Sequence, residues 1–148
     1  MDKQRVILFL NRLLANYFVL QTKCYRYQWF AKGAHALTLK RLFRELQVSW
    51  QKDLEEIARQ ILYLDGKPFA TMVKFIKEAS LEEAEADDLA SEMVEQIHHD
   101  LRQIIREIEE EGIPLAKKTQ DDATIFFLLQ LQLNIRKIIS TIHDLSFD

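Results

Sequence analysis

Tyr27-Gln28-Trp29-Phe30-Ala31-Lys32-Gly33-Ala34-His35 is the stretch on which the fold turns. Upstream of it, no glycine or proline interrupts the chain from Lys3 to Phe30. Downstream, the same holds from His35 to Leu64, where Asp65-Gly66-Lys67-Pro68 follows. Inside a helix, glycine costs about 1 kcal/mol and proline about 3 kcal/mol relative to alanine. Both are common just past helix ends. Gly33 therefore reads as the joint between helix A, Lys3 to Phe30, and helix B, His35 to Leu64.

The rest of the chain extends the pattern. The only other glycines are Gly66 and Gly112, and the only prolines are Pro68 and Pro114. They divide off helix C, roughly Asp87 to Glu111, and helix D, roughly Asp121 to Leu145. Helix C repeats Ala90, Met93, Ile97, Leu101, Ile104 and Ile108 at helical spacing. Helix B carries Leu39, Leu42, Phe43, Leu46, Trp50, Leu54, Ile57, Ile61 and Leu64 as one broad stripe. Helix D is apolar on more than one face: Ile125 to Leu129 without a break, then Leu131, Leu133, Ile135, Ile138, Ile139 and Ile142. Such a helix touches its own bundle and something besides, a partner subunit being the simplest candidate. At ~1.5 Å per residue, a rod of about 27 residues spans about 40 Å. The fold class is all-α, a four-helix bundle. The long B–C connection, Asp65 to Ala86, holds a short amphipathic helix with Phe69, Met72, Val73 and Ile76 on one face. That face either packs on its own bundle or signals oligomerisation. Ser80-Leu81-Glu82-Glu83 has capping-box spacing, which would start helix C early; otherwise Glu82 to Asp88 is a solvated acidic loop.

With 148 residues, the chain (1–148) is expected to be one domain. Its net charge of −3 gives no global field for nucleic acid. The charge is uneven: nine bases and no acid lie between Lys3 and Arg44, leaving 22 acids and 11 bases beyond, a net of −11. This asymmetry suits contact between subunits or with a polyanion, or reflects solvated faces. The single cysteine, Cys24, reads as a buried structural thiol. The apolar run from Val6 to Leu10 stops at Asn11 and Arg12, so neither a signal peptide nor a membrane span is expected. A cytoplasmic location follows from the lack of a disulfide framework.

A di-iron centre inside a bundle needs inward carboxylates and histidines, often as Glu-x-x-His. Helix A has no carboxylate after Asp2. Glu95 and His98 supply one Glu-x-x-His, with His99 adjacent and no second copy. An intrabundle centre is not expected.

From Leu20 to Pro68 the chain resembles the Dps branch of the ferritin family. The matching motifs are Tyr27-Gln28-Trp29, Lys32-Gly33, Leu42-Phe43, Ile57-Ala58 and Gly66-Lys67-Pro68. The resemblance implies a ferritin-like bundle with a short helix in its long B–C crossover, assembled as a dodecameric shell. It implies a stress-protective role through iron sequestration, DNA protection, or both. Members of that branch oxidise ferrous ion at a ferroxidase site between two subunits. The family places ligating histidines, aspartate and glutamate at five positions that here are Gln28, Lys40, Arg44, Glu55 and Arg59. Only Glu55 keeps ligand chemistry, so ferroxidase activity is expected to be weak or absent, and iron as cofactor or cargo stays open. Lys40/Arg44 and Glu55/Arg59 are each one turn apart, and fifteen residues, about four turns, separate the pairs. Across a twofold axis, one copy's Lys40 and Arg44 would meet another's Glu55 as an intersubunit ion-pair cluster. The alternative is that these side chains reach solvent.

Asp121-Asp122-Ala123-Thr124-Ile125-Phe126 resembles the family's acidic pore motif, with Phe126 in place of the last carboxylate. Asp121 and Asp122 either line a pore or serve as helix N-terminal acids. No lysine-rich tail is present, so DNA contact would fall to Lys3, Arg5 and Arg12, repeated around an assembly. His35 and His143 are expected to cap or pack, and Trp29 and Trp50 to sit in core or interface. No phosphate loop, Cys-x-x-Cys or nucleophile motif points to another enzyme class. The competing readings are a purely structural or DNA-binding shell without iron chemistry, and an unrelated oligomeric bundle.

Overall fold

The computed structural model describes residues 2–84 and 89–145. Helix α1 spans Asp2–Phe30 and α2 spans Ala36–Tyr63. A short α3, Met72–Glu78, lies in the crossover. Then come α4, Ala90–Glu107, a π-helical segment, Ile108–Gly112, and α5, Ile113–Lys118. Helix α6, Asp122–His143, closes the bundle. The first two helices lie within a residue of the expected bounds. The expected start of helix C at Asp87 falls outside the described residues.

Polar contacts fix the directions. Gln21 Nε2 donates to the Gln47 carbonyl, 3.0 Å, and Asn11 Nδ2 to that of Lys67, 3.1 Å, so α2 runs antiparallel to α1. Lys23 meets Asp100, and Arg12 meets Glu107 and Glu111, so α4 also opposes α1. Helices α2 and α4 therefore point the same way, and their connection must travel the length of the molecule. Two buried asparagines of α1 seat that connection. Asn11 Oδ1 accepts from Phe69 N (2.8 Å), and Asn16 Oδ1 accepts from Ser80 N (2.8 Å) and Leu81 N (3.1 Å).

The apolar stripes pack as expected. Met93, Ile97, Leu101, Ile104 and Ile108 are fully buried, as are Phe43, Trp50, Ile57 and Ile61 of α2. Helix α6 is long and apolar enough to cross a membrane by length and composition. Its inner face, Leu128, Leu131, Ile135 and Ile142, nevertheless belongs to the bundle core, while Phe126, Leu129 and Leu133 stand exposed. Helix α3 divides its apolar residues. Phe75 stacks on Phe18 with centroids 4.0 Å apart, whereas Met72, Val73 and Ile76 face outward.

Three joints differ from the sequence reading. The helix does not stop at Gly112 and Pro114. Gly112 keeps right-handed helical angles (φ −62°), and a Cβ there would lie 2.5 Å from Phe9 Cε2. The glycine makes room for Phe9 rather than ending the helix. Pro114 is tolerated because it sits in the first turn after the π segment, where its missing N–H falls at a register change. The true turn comes at residues 119–121, where Gln120 takes a left-handed φ of 57°. At the end of α2, Asp65 rather than Gly66 takes the left-handed position (φ 63°). A Cβ on Gly66 would meet Ile7 Cγ2 at 2.8 Å. Finally, Ser80 begins no helix: its hydroxyl bonds Glu107 and its amide bonds Asn16.

Candidate functional site

The five motif-equivalent positions fall on the last turns of α1 and along α2. The final turn of any helix leaves carbonyls unpaired and carries a partial negative charge. Helix α1 has no basic residue in its own last turn. Lys40 of α2 supplies one: its ammonium donates to the Gln28 carbonyl at 2.6 Å. The Gln28 side chain is held too, its Oε1 accepting from Gln47 Nε2 at 2.8 Å. Gln28 and Lys40 are thus joined within one chain, both half-buried.

Arg44, one turn beyond Lys40, is exposed and has no ion pair among the described residues. Glu55 and Arg59 are also exposed, farther down α2. Glu55 is eleven residues from Arg44, about 16 Å along the helix, and does not reach it within one chain. Among the described residues, no three of His, Cys, Asp or Glu gather as a metal-binding group. A ferrous ion prefers oxygen and imidazole ligands with net negative charge. An ammonium fixed to a carbonyl, two guanidiniums and an amide already hydrogen-bonded do not fit that need. The residues at these positions do not suit the family's iron site.

Beside them runs a groove of about 310 Å³. Tyr25, Gln28 and Trp29 of α1 form one wall, and Arg44, Gln47, Val48 and Gln51 of α2 the other. Tyr25 and Trp29 lie one turn apart with ring centroids 5.7 Å apart. Trp29 is 69% exposed, while Trp50 is fully buried.

The remaining sequence candidates are dispersed. Asp121 caps α6: its side chain accepts from Thr124 N at 3.1 Å and from the Thr124 hydroxyl, which in turn accepts from Gln60 Nε2 at 3.0 Å. Asp122 and Phe126 are exposed on the first turns of that helix. Lys3 faces Asp65 at 3.6 Å. Arg12 pairs with Glu111 at 2.5 Å and Glu107 at 3.6 Å. Arg5 is exposed beside Leu8 and Lys118. Glu95 is exposed and His98 half-buried on α4.

The interior holds polar groups that the sequence reading passed over. Lys23 and Asp100, both about 2% exposed, form a 2.6 Å ion pair between α1 and α4. Burial raises the Asp100 carboxyl above its usual range, and the Lys23 hydrogen bond opposes the rise. Asp53 is buried without a partner for Oδ2. Burial, with Glu56 adding and Lys52 opposing, pushes its carboxyl up to about 6. Trp50 lies on the same face one turn away, and its Nε1 and the Tyr17 hydroxyl are likewise buried without partners. Burial and the nearby Asp53 raise the Tyr17 hydroxyl. Cys24 is buried, and burial followed by the Asp100 charge pushes its thiol up, so it stays protonated. For Lys23, Asp53 and Asp100 the only sequence signal was a charge inside an apolar stripe, whereas Cys24 and Trp50 are buried as the sequence reading expected.

A helical bundle with a long crossover and an outward-facing site on α1 and α2 defines a class of architecture. The comparisons identify which member of that class it is. Residues 7–145 match the ferritin-like domain. The chain is 33% identical over 134 residues to general stress protein 20U of Bacillus subtilis, covering 90% of this chain and 92% of that one. It is 35% identical over 137 residues to DNA protection during starvation protein 2 of Bacillus anthracis, covering 93% and 92%. A Dps protein crystal structure from Bacillus brevis superposes with a TM-score of 0.91 at 28% identity, covering 96% of this chain and 95% of that one. The chain belongs to the Dps-like branch of the ferritin-like family.

Proposed function

We propose that this protein is a Dps-like mini-ferritin whose copies assemble into a stress-protective shell, a dodecamer, that sequesters iron, protects DNA, or both, without the usual intersubunit ferroxidase ligands. Full-length similarity to starvation and general stress proteins supports the protective role. Exposed Trp29, Met72, Val73, Ile76, Phe126, Leu129 and Leu133 support burial of subunit surface. Lys3, Arg5 and Arg12 would carry any DNA contact; Lys3 and Arg12 already face acids, which weakens the phosphate term each can supply.

The observation that carries the loss of the oxidation site is the 2.6 Å bond from Lys40 Nζ to the Gln28 carbonyl. A protein cation occupies the place of an iron ligand and finds its partner in the same chain. Across a twofold axis, Glu55 of a second copy would be the one carboxylate near Lys40 and Arg44. Iron then enters as cargo on acids elsewhere, Asp121 and Asp122 among the candidates. Asp121 is the weaker of the two because it already caps α6.

Three measurements test this. Native mass spectrometry is expected to give a closed oligomer; a monomer overturns the shell. Ferrous oxidation by peroxide is expected to be slow and to rise when positions 28, 40, 44 and 59 become His, His, Asp and Glu. Rapid oxidation by the unmodified protein overturns the loss of the site. If aerobic loading leaves no retained iron, the shell acts without iron chemistry.

A further inference from the structure

The middle of the bundle holds three polar atoms that no group among the described residues answers. They are the Tyr17 hydroxyl on α1, and Trp50 Nε1 and Asp53 Oδ2 on α2. All three residues are at most 4% exposed. They lie in the interior of one chain, so their burial does not depend on how copies assemble. Register brings them to one level. Gln21 Nε2 donates to the Gln47 carbonyl between antiparallel α1 and α2. Tyr17 lies one turn back along α1 from Gln21, while Trp50 and Asp53 lie one and nearly two turns onward along α2 from Gln47. Side chains on a helix lean toward its N-terminus, so the Asp53 carboxylate lies over the turn that carries Trp50. The Asp53 charge is also felt at Tyr17: after burial, it is the second cause that raises that hydroxyl.

The three atoms decide what fits between them. An indole N–H only donates, an ionised carboxylate only accepts, and a phenol hydroxyl does either. Neither donor bonds Asp53 directly. A metal cation does not suit the set, since it needs several oxygen ligands and the indole would point a hydrogen at it. An anion does not suit it either, because Asp53 would repel it. A small neutral molecule that both donates and accepts does. We propose that Tyr17, Trp50 and Asp53 enclose a binding site for one internal water, which accepts from Trp50 Nε1 and the Tyr17 hydroxyl and donates to Asp53 Oδ2. Three bonds are the usual complement of a buried water, and a chain of 148 residues ordinarily holds on the order of five. The water joins α1 to α2 through the core, beyond the direct bond from Gln21 to Gln47. Gln21 Oε1, a further unpartnered acceptor on α1, stays outside the set. Its own amide nitrogen holds it at Gln47, six residues or about 9 Å along α2 from Asp53.

The test is a crystal structure of the assembled protein at pH 8, at a resolution that orders solvent. One solvent peak is expected roughly 2.7–3.2 Å from each of the three atoms. Asp53→Asn is expected to keep the peak, its amide oxygen accepting where the carboxylate did. Asp53→Leu, which leaves an apolar group of similar size, is expected to abolish it. Should Asp53→Leu fail to fold, the parent crystal decides alone. An empty site, a direct bond from Tyr17 or Trp50 to Asp53, or a peak with the ligand shell of a metal ion overturns the proposal. So does a peak that persists unchanged in Asp53→Leu.

Discussion

Asp53→Asn is expected to stabilise the protein at pH 8 and to lose that advantage in acid. Asp53 is 4% exposed, and its Oδ2 has no partner. Its carboxyl rises from 3.8 to about 6, chiefly through burial. Two pH units correspond to about 3 kcal/mol between the charged and neutral forms, an upper bound at full ionisation. The sign follows from linkage. The folded value lies above the unfolded one, so this group's stabilising contribution is complete below about 4 and is lost as pH rises through about 6. The parent should therefore gain stability from this group as pH falls from 8 to 5. The asparagine variant should lack that slope. For a chain of this size, the advantage at pH 8 would be on the order of 10 °C in Tm if the whole penalty is relieved. Melts of both proteins at pH 8, 7, 6 and 5 are the assay, and the difference between them cancels the other titrating groups. A variant less stable than the parent at pH 8, or a gap that fails to narrow by pH 5, refutes the reasoning.

Other substitutions probe the rest of the frame. Lys23→Ala strands Asp100 in the core and is expected to cost roughly 3–5 kcal/mol in denaturant melts. The double change Lys23→Met, Asp100→Leu should recover most of that loss. Gly112→Ala forces a methyl against the Phe9 ring and is expected to cost about 1–3 kcal/mol; pairing it with Phe9→Leu should recover part. Asp121→Ala removes the α6 cap and is expected to lower stability by about 1 kcal/mol, read from the same melts. A chelator is expected to leave Tm unchanged, since the cations paired with Asp100 and the Gln28 carbonyl belong to the chain; a drop of several degrees would contradict that.

What could be read in the sequence was whatever repeats or punctuates. The stripes of α2 and α4 are statements about burial, and burial obeyed them. Gly33 was legible because its φ of 83° is a requirement that few other residues meet. Gly112 was misleading because a glycine also serves where a neighbour comes close, and Phe9 comes from a distant part of the chain. The turn at Gln120 was invisible because nothing in glutamine announces a left-handed backbone. Lys23 drew no reading from the sequence, since only its contact with a residue 77 positions away makes it interior. The candidate positions came from the motif resemblance, and the structure joins two of them, Gln28 and Lys40. The sequence offered Lys40 a second subunit or solvent, whereas within one chain the structure gives it a nearer acceptor, the carbonyl at the end of α1.

On the proposed reading, that acceptor bears on how the fold would hold without a metal at these positions. Where a bound cation holds groups together, its removal leaves them repelling one another or unpaired. Here two acceptors, a helix-end carbonyl and a buried carboxylate, are served by lysine side chains. Lys40 answers the carbonyl end of α1, and Lys23 answers the carboxylate of α4. Asp53 shows what happens when no such answer is given: its oxygen is unpartnered and its carboxyl is driven toward neutrality. The same bundle thus contains both outcomes a few turns apart. A lysine on a neighbouring helix decides between them, and it does so without loop closure or loading from solution. On the proposed reading, lysine and arginine at the ligand positions would make the frame independent of metal supply. Arg44 stands exposed within the chain, where a second copy's Glu55 would meet it.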